Sequence, residues 1–460
     1  MVRIPEMPPD ETFPQLQVVT SLEPMREILQ QDLPRFAHGE LEIDRLKIKR
    51  FQYRPRKRCS ICYQIEVVPP GGGEPEVQLM FGLLDGKGRA RQRYEHERER
   101  ISFVPPLVPA IHYLDELDMV LWGFPNDPQM KRLHELFDPE LFEVAMEPYL
   151  AALAPAGTPC FESLETRIAK YVPASRCVLE HKIWSNPERT GEPVIHVYSK
   201  TYEDSRGAAI FDVMNQLWDS EARSSGTLAM PEALFYDDGL QTLFTRPVLG
   251  EHAKEQLGEL DFVDLAPKIG QLLASIHTSG LSGLPFWPVE ETVADVRKAH
   301  VFVGSSIAPA RERMASIVEK VESGVSCTEG LPSVPLHGAF RLSQILHLDG
   351  RLVLLDFDGL HVGNPIGDVG SLAAHLFYLS AKGQLTRDQA RKAIGSFCDA
   401  YREATPWDLP EDALRWYTAA ELAGKHAKKI VKRAKKNSDQ KIEDLLGLAE
   451  NVLDGKEPLG

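Results

Sequence analysis

The stretch Leu336-His-Gly-Ala-Phe-Arg-Leu-Ser-Gln-Ile-Leu346 runs through His347-Leu-Asp-Gly350 into Arg351-Leu-Val-Leu-Leu-Asp-Phe-Asp358. Asp-Gly between two apolar runs is a strong hairpin signal, because both central residues of a two-residue turn need positive φ. The reading is strand, turn, strand over 344–357. His337 and Arg341 precede the hairpin, and two carboxylates, Asp356 and Asp358, follow it. At i, i+2 in extended backbone these carboxylates would lie on one side, which suggests a shared cation or one raised pKa. Ordinary turn chemistry is the competing account of Asp-x-Asp in a loop.

Outward from the hairpin the second half of the chain reads as helical. Apolar residues recur with helical spacing from Phe262 to Ile276 and stop before Gly280. Further helices are expected over 288–323, 367–381, 387–404, 411–434 and 438–454.

The first half carries a repeat. Tyr53-Arg-Pro-Arg-Lys-Arg-Cys59 recurs as Tyr171-Val-Pro-Ala-Ser-Arg-Cys177, with four of seven residues identical. Each Cys opens an apolar strand. A loop and a second strand follow, Val77 to Phe81 in one copy and Val194 to Lys200 in the other. Each copy then has a turn (Asp85-Gly-Lys-Gly88, Asp204-Ser-Arg-Gly207) and a helix. Pro109 to Pro125 and Pro231 to Pro247 each bracket a pair of apolar runs. Ordered agreement of these anchors implies a duplicated strand–strand–helix–strand–strand unit. Two copies are too few for a solenoid. In this alignment Phe81 stands where the second copy has Lys200.

Of 460 residues 67 are acidic and 52 basic, for a net charge of −15. That balance disfavours nucleic acid as a general partner, since such affinity comes from neutralised phosphates. With 43% apolar and 26% charged residues the chain can bury a sizeable core. No apolar run is long enough to span a membrane. Met1 to Glu11 reads as a proline-rich tail, not a signal peptide. Six cysteines are too few for a disulfide scaffold, so a cytoplasmic location is expected. Cys59 and Cys62 form a lone CxxC on a strand, where residues three apart face opposite ways, and buried structural thiols are expected. No Walker A, GxGxxG, HExxH or GxSxG sequence occurs.

The stretch from Leu336 to Leu346, with Leu354-Leu-Asp-Phe-Asp358 and Gly363-Asn-Pro-Ile-Gly-Asp-Val369, resembles the aminoglycoside phosphotransferase and choline kinase family. The likeness covers roughly 165–455. It implies an α+β, bilobal, protein-kinase-like fold: an antiparallel-sheet N-lobe and a helical C-lobe, here with an additional N-lobe-like repeat at the front. The expected division is a tail and helix over 1–42, the first repeat over 43–160, a nucleotide-binding N-lobe over 161–250 and the helical C-lobe over 251–460.

The family's catalytic loop reads His-Gly-Asp-x-x-x-x-Asn. His337 and Gly338 fit, but Ala339 stands at the catalytic Asp and Gln344 at the metal-binding Asn. Arg341 takes the place of a cation near the transferring phosphate. The resemblance makes Asp356 the metal-binding carboxylate, Asp358 a second one or a substitute base, and Asp368 a support for the catalytic-loop backbone. Lys200 would pair with nucleotide phosphates, with Asp212 or Glu221 as its partner, although an edge-strand lysine is common on other grounds. Leu243-Phe-Thr-Arg-Pro-Val-Leu-Gly-Glu251 resembles the hinge against which adenine lies, which brings in Thr245, Arg246 and Val248. The implied cofactors are ATP and Mg²⁺. Ala339 has no group to take a proton, and general-base catalysis is worth about 10²–10⁴-fold.

Three functions stay open: a degenerate kinase that binds Mg·ATP with weak or absent transfer, a working small-molecule hydroxyl kinase with a relocated base, and a structural module without nucleotide. His277 reads as a buried hydrogen-bonding residue. Seven Lys/Arg lie within Lys425–Lys436 and seven within Lys47–Arg58. The first cluster has helical spacing, as a solvated face or a contact for an anionic substrate, a nucleic acid or a protein partner.

Overall fold

Strand β1 (Glu42–Arg54) turns back into β2 (Arg58–Val68), and β3 (Glu76–Asp85), β4 (Ile111–Leu114) and β5 (Met119–Gly123) complete a five-stranded antiparallel sheet in the order β1-β2-β3-β5-β4. The computed structural model describes residues 10–460 except 55, 69–72, 87, 102, 154–160, 258–261 and 433–437. A second sheet repeats the order with β6 (Ser163–Val172), β7 (Arg176–Trp184), β8 (Ile195–Tyr202), β9 (Ala233–Asp237) and β10 (Thr242–Thr245), as β6-β7-β8-β10-β9. Each sheet has one strand more than the four expected per copy. The extra strand precedes the Tyr-x-Pro turn, and its mixed polar and apolar residues gave it the weaker signal.

The ladders correct the sequence alignment. Cys59 pairs with Leu84, and Cys177 pairs with Thr201. Lys200 therefore corresponds to Leu83, not to Phe81. The loops before β3 and β8 differ, so counting from loop ends slipped by two residues, which leaves the sheet face unchanged. On that face of the first sheet Phe81, Leu83, Val120 and Trp122 form a small core with Ala90, and Trp122 Nε1 donates to Glu97 at 2.8 Å. Helix Arg89–Glu97 carries both Ala90 and Glu97 and so closes this face with apolar and polar contacts.

The opposite face of each sheet is covered by helices that precede its first strand. Leu16, Val19, Met25, Leu29 and Phe36 pack on Cys59, Ile61, Tyr63 and Met80. In the second copy Leu133, Leu136, Phe142 and Met146 pack on Cys177, Leu179, Val197 and Phe244. Cys59 and Cys62 are both buried free thiols, and burial raises their pKa, that of Cys62 to about 12.

The chain divides into two units, the second comprising chiefly residues 209–233 and the chain from Pro247 onward. The first contains both sheets. The second is helical around the hairpin Ile345–Leu348 and Arg351–Leu354, whose turn residues Asp349 and Gly350 have φ 49° and 78°, as the Asp-Gly signal required. Glu251–His252 adds a short third strand to the hairpin. The helix expected over 288–323 is two, Val289–Ser306 and Ala310–Ser323. Pro309 lacks the N–H that a continuous helix needs and pushes the residue before it out of helical geometry. The helix expected over 411–434 runs Glu411–Glu421, passes through a π turn at Leu422–His426 and resumes as Ala427–Lys432. The remainder of the 425–436 basic cluster lies outside the described residues.

Candidate active site and family

In the second unit the site grows from Asp368, in the first turn of helix Ile366–Ala381 and 1% exposed. Its carboxylate accepts from the His337 N–H at 2.6 Å and from the Gly338 N–H at 3.0 Å. His277 Nε2 lies 3.4 Å away. Burial pushes the Asp368 carboxyl up, but its hydrogen bond to His277 and the nearby His337 and His361 outweigh that and hold it at about 2. His277 is buried, and its Nδ1 lies 2.7 Å from the Tyr401 hydroxyl, which accepts from Trp407 Nε1 at 3.1 Å. With Tyr401 donating to Nδ1 and the Nε2–H facing Asp368, both ring nitrogens of His277 have a partner.

Two features fix the loop that Asp368 holds. Gly338 has φ 81°, and a Cβ there would lie 2.1 Å from the Gly359 carbonyl oxygen, so only glycine fits. His337 is fully buried and reaches the Leu355 carbonyl through Nε2 at 3.0 Å. The Leu355 N–H in turn donates to the Gln344 carbonyl at 2.8 Å. The loop end and the residue before Asp356 are thereby tied together.

Asp356 has φ 67° and ψ 67°, a costly conformation for a residue with a side chain, and such residues gather at functional sites. Phe357–Gly359 forms a single 3₁₀ turn. The backbone is therefore not extended here, and the alternation argument that put Asp356 and Asp358 on one side does not hold. Asp358 lines a cavity of about 380 Å³ with Gly338, Trp287, Leu336, Tyr417 and Glu421 among its walls. Gln344 is buried, and its Oε1 has no hydrogen-bond partner among the described residues. An orphaned buried carbonyl oxygen is of the donor type that a hard cation such as Mg²⁺ takes, since it prefers oxygen ligands and leaves places for phosphate and water. Among the described residues no three His, Cys, Asp or Glu converge to hold a metal by themselves.

A second cavity, of about 290 Å³, opens at Ala339 and Arg341 and is lined by Ser371, His375, Glu421, Lys425, His426 and Lys429. Of these last six the sequence pointed only to Lys425 and Lys429, as members of the basic cluster. His375 sits in a mostly apolar turn of helix Ile366–Ala381, and only folding brings it to His426, with ring centroids 5.9 Å apart.

In the first unit Lys200 lies on β8, between Val178 of β7 and Leu243 of β10. It is half-buried, with its ammonium 5.5 Å from the Tyr202 ring centroid. Thr245 ends β10 and Arg246 ends this unit's chain segment, while Val248 belongs to the irregular stretch that follows in the second unit. Asp212 and Glu221, which belong to the second unit, are both exposed, on helices Arg206–Trp218 and Glu221–Ser224.

A family model described as the phosphotransferase enzyme family matches residues 185–434, more than half of the chain. The chain belongs to this family. Its fold is accordingly the α+β, kinase-like one, with an antiparallel N-terminal region and a helical C-terminal region. Similar solved structures include choline kinase from Cryptosporidium parvum, at 12% identity and TM-score 0.46, covering 70% of this chain and 98% of that one. A protein described as an aminoglycoside phosphotransferase from Ralstonia eutropha has 15% identity and TM-score 0.46, over 68% and 98%. A choline/ethanolamine kinase family protein from Mesorhizobium loti has 13% identity and TM-score 0.42, over 67% and 95%. No curated protein matches the chain. No helix among the described residues is long and apolar enough to cross a membrane.

Proposed function

We infer that this member of the family binds Mg·ATP and transfers phosphate weakly or not at all. One observation carries the reading. The loop fastened by Asp368 is intact in its backbone contacts but presents the methyl group of Ala339 where the family's carboxylate would stand. Transfer moves the γ-phosphoryl to a hydroxyl oxygen and needs that oxygen placed and relieved of its proton. A methyl group does neither. Lys200 would pair with phosphates, Thr245, Arg246 and Val248 would flank the base, and Arg341 and His337 would complete the loop. Asp356 and Gln344, with Asp358, would hold Mg²⁺, which when bound neutralises charge on the phosphates. The strained backbone of Asp356 and the orphaned oxygen of Gln344 support that assignment.

A second reading has its own support. Asp358 faces the larger cavity, so it could serve as a relocated base for a small-molecule hydroxyl. The two readings part on turnover, with the working kinase consuming ATP in an acceptor-dependent, Asp358-dependent way.

The test is a thermal-shift titration with ATP, with and without Mg²⁺. A ligand at one hundred times its Kd stabilises by about 2.7 kcal/mol. A shift that requires Mg²⁺ is expected, and Lys200→Ala and Asp356→Asn should each raise the midpoint concentration at least about tenfold, one 1.4 kcal/mol contact, with the protein still folded. Absence of any shift at millimolar Mg·ATP would favour the module without nucleotide.

A further inference from the structure

The cavity at Ala339 contains buried polar groups that the surrounding side chains do not satisfy. His375 is 2% exposed, and neither ring nitrogen has a hydrogen-bond partner among the described residues. His426 is 6% exposed, and its Nδ1 also lacks one among them. Both rings line the cavity. Buried polar atoms in folded proteins are nearly always paired, so orphaned nitrogens on two residues that line one cavity mark its wall as a polar one. The charge of the walls says what kind of group suits it. Arg341, Lys425 and Lys429 bring three positive charges and Glu421 one negative charge, with Lys425 donating to Glu421 at 2.6 Å.

A metal ion does not suit these walls. The two imidazoles are joined by one carboxylate already paired with lysine, and Arg341 and Lys429 would repel a cation. An acceptor-rich anion suits them. It accepts from arginine, lysine and imidazole N–H groups at once, and charge-assisted hydrogen bonds of this kind are about twice as strong as neutral ones. Ser371 adds a hydroxyl that can donate or accept. A volume of about 290 Å³ is at the small end of ligand pockets, enough for a phosphate or carboxylate and the atoms that carry it. Burial, then Lys429, Arg341, Lys254 and Lys382, hold His375 neutral with its pKa down at about 3, and the cavity by itself therefore carries less charge than its residues could offer a bound anion.

The geometry points to an oxyanion-binding subsite formed by Arg341, Ser371, His375, His426 and Lys429, which receives the phosphate or carboxylate group of an anionic small molecule seated beside Ala339. The side chain at position 339 makes room for it, since a carboxylate there would itself occupy the cationic space. Gly338, Glu421 and Lys425 border both cavities, so a ligand can set its anionic end here and its body against Trp287, Leu336 and Tyr417. This rests on the phosphotransferase site proposed above, and it assigns the ligand of that site a charge.

Inorganic phosphate is the probe, in thermal-shift titrations of the full chain against sodium chloride at matched ionic strength. Phosphate should raise Tm in a saturable way, choline chloride should not, and Arg341→Gln and Lys429→Gln should each weaken the phosphate effect at least about tenfold, the value of one charge-assisted bond. His375→Phe should abolish it. If His375→Phe fails to fold, the two surface-side variants decide by themselves. A Tm that responds to phosphate no more than to chloride means the cavity holds water only and overturns the proposal. So does stabilisation by choline in place of phosphate. A final arm adds the non-hydrolysable analogue β,γ-imido-ATP with Mg²⁺. A phosphate effect that persists supports a subsite separate from the nucleotide, and one that disappears makes the cavity the γ-phosphate's own and overturns the assignment. If the analogue alone gives no shift, the nucleotide reading fails while the phosphate titration still decides the subsite.

Discussion

In the reading proposed above, the chemistry of the site turns on the methyl group of Ala339. Its neighbours His337 and Gly338 donate their N–H groups to Asp368, so the loop does not depend on what position 339 carries. Ala339→Asp should therefore fold and bind Mg·ATP much as the parent does. Arg341 and Lys429 would hold the new carboxylate ionised and weaken it as a base, which places the gain toward the low side of the general-base range. ATP hydrolysis should rise at least about tenfold, measured by phosphate release. The same carboxylate would fill the oxyanion place, so stabilisation by phosphate should be lost in this variant. A parent as fast as an ordinary kinase, with Ala339→Asp no faster, would shift the assignment to Asp358.

At the scale of elements the two sheets share a device that the heptapeptide alone did not reveal. Asp127 accepts from the Gln129 and Met130 N–H groups, from the Tyr171 hydroxyl at 2.7 Å and from the Ala174 N–H at 2.8 Å. Asp10 does the same with Thr12, the Tyr53 hydroxyl and the Arg56 N–H. Each Asp stands 43 or 44 residues before its Tyr, and Arg56 and Ala174 both have positive φ, 57° and 52°. Each carboxylate thus closes the turn between the first two strands of its sheet. We propose on this ground that the repeat begins near Asp10 and Asp127, helices included, and not at 43 and 161. Asp127 is the more buried of the two, and burial raises its pKa, whereas hydrogen bonds to Tyr53 and the backbone outweigh burial at Asp10 and lower it. Asp127→Ala would orphan a tyrosine hydroxyl and three N–H groups, for a loss of about 2–4 kcal/mol at roughly 1–3 per buried orphan with partial relaxation. Asp10→Ala should cost less, because water can reach its partners. Urea unfolding of the two variants checks both the size and the order, and equal, negligible losses would remove the turn from the account of the fold.

Across the whole molecule several buried histidines set how stability depends on pH. His181 is fully buried, between the Ser199 hydroxyl at 2.7 Å and the Thr166 hydroxyl at 3.0 Å, and burial lowers its pKa to about 3. His375 is held at about 3 as well. Both are protonated in the unfolded chain below about 6.5 but stay neutral in the folded one, so the unfolded state binds more protons. Their contribution is complete above about pH 6.5 and is withdrawn as pH falls toward 3, each group by up to about 1.4 kcal/mol per pH unit. Asp368, lowered to about 2, adds its loss only below its usual value of 3.8, outside this window. Tm should be flat from pH 8 to 7 and fall clearly between 6.5 and 5, and a flat Tm through pH 5 would contradict the neutral burial of these rings. Local spacing alone determined the hairpin, the helices around it and the heptapeptide repeat, because each of these is written within a few residues or one period of a regular element, while the roles of His337, Ala339, Gln344, Asp356 and Asp368 were implied by the resemblance of their stretch to a known family. The bend at Asp356, the correspondence of Lys200 with Leu83, the caps from Asp10 and Asp127 and the meeting of His375 with His426 came only with the tertiary structure. Each depends on residues far apart in the chain, or on backbone that leaves the regular period, and no local pattern encodes either.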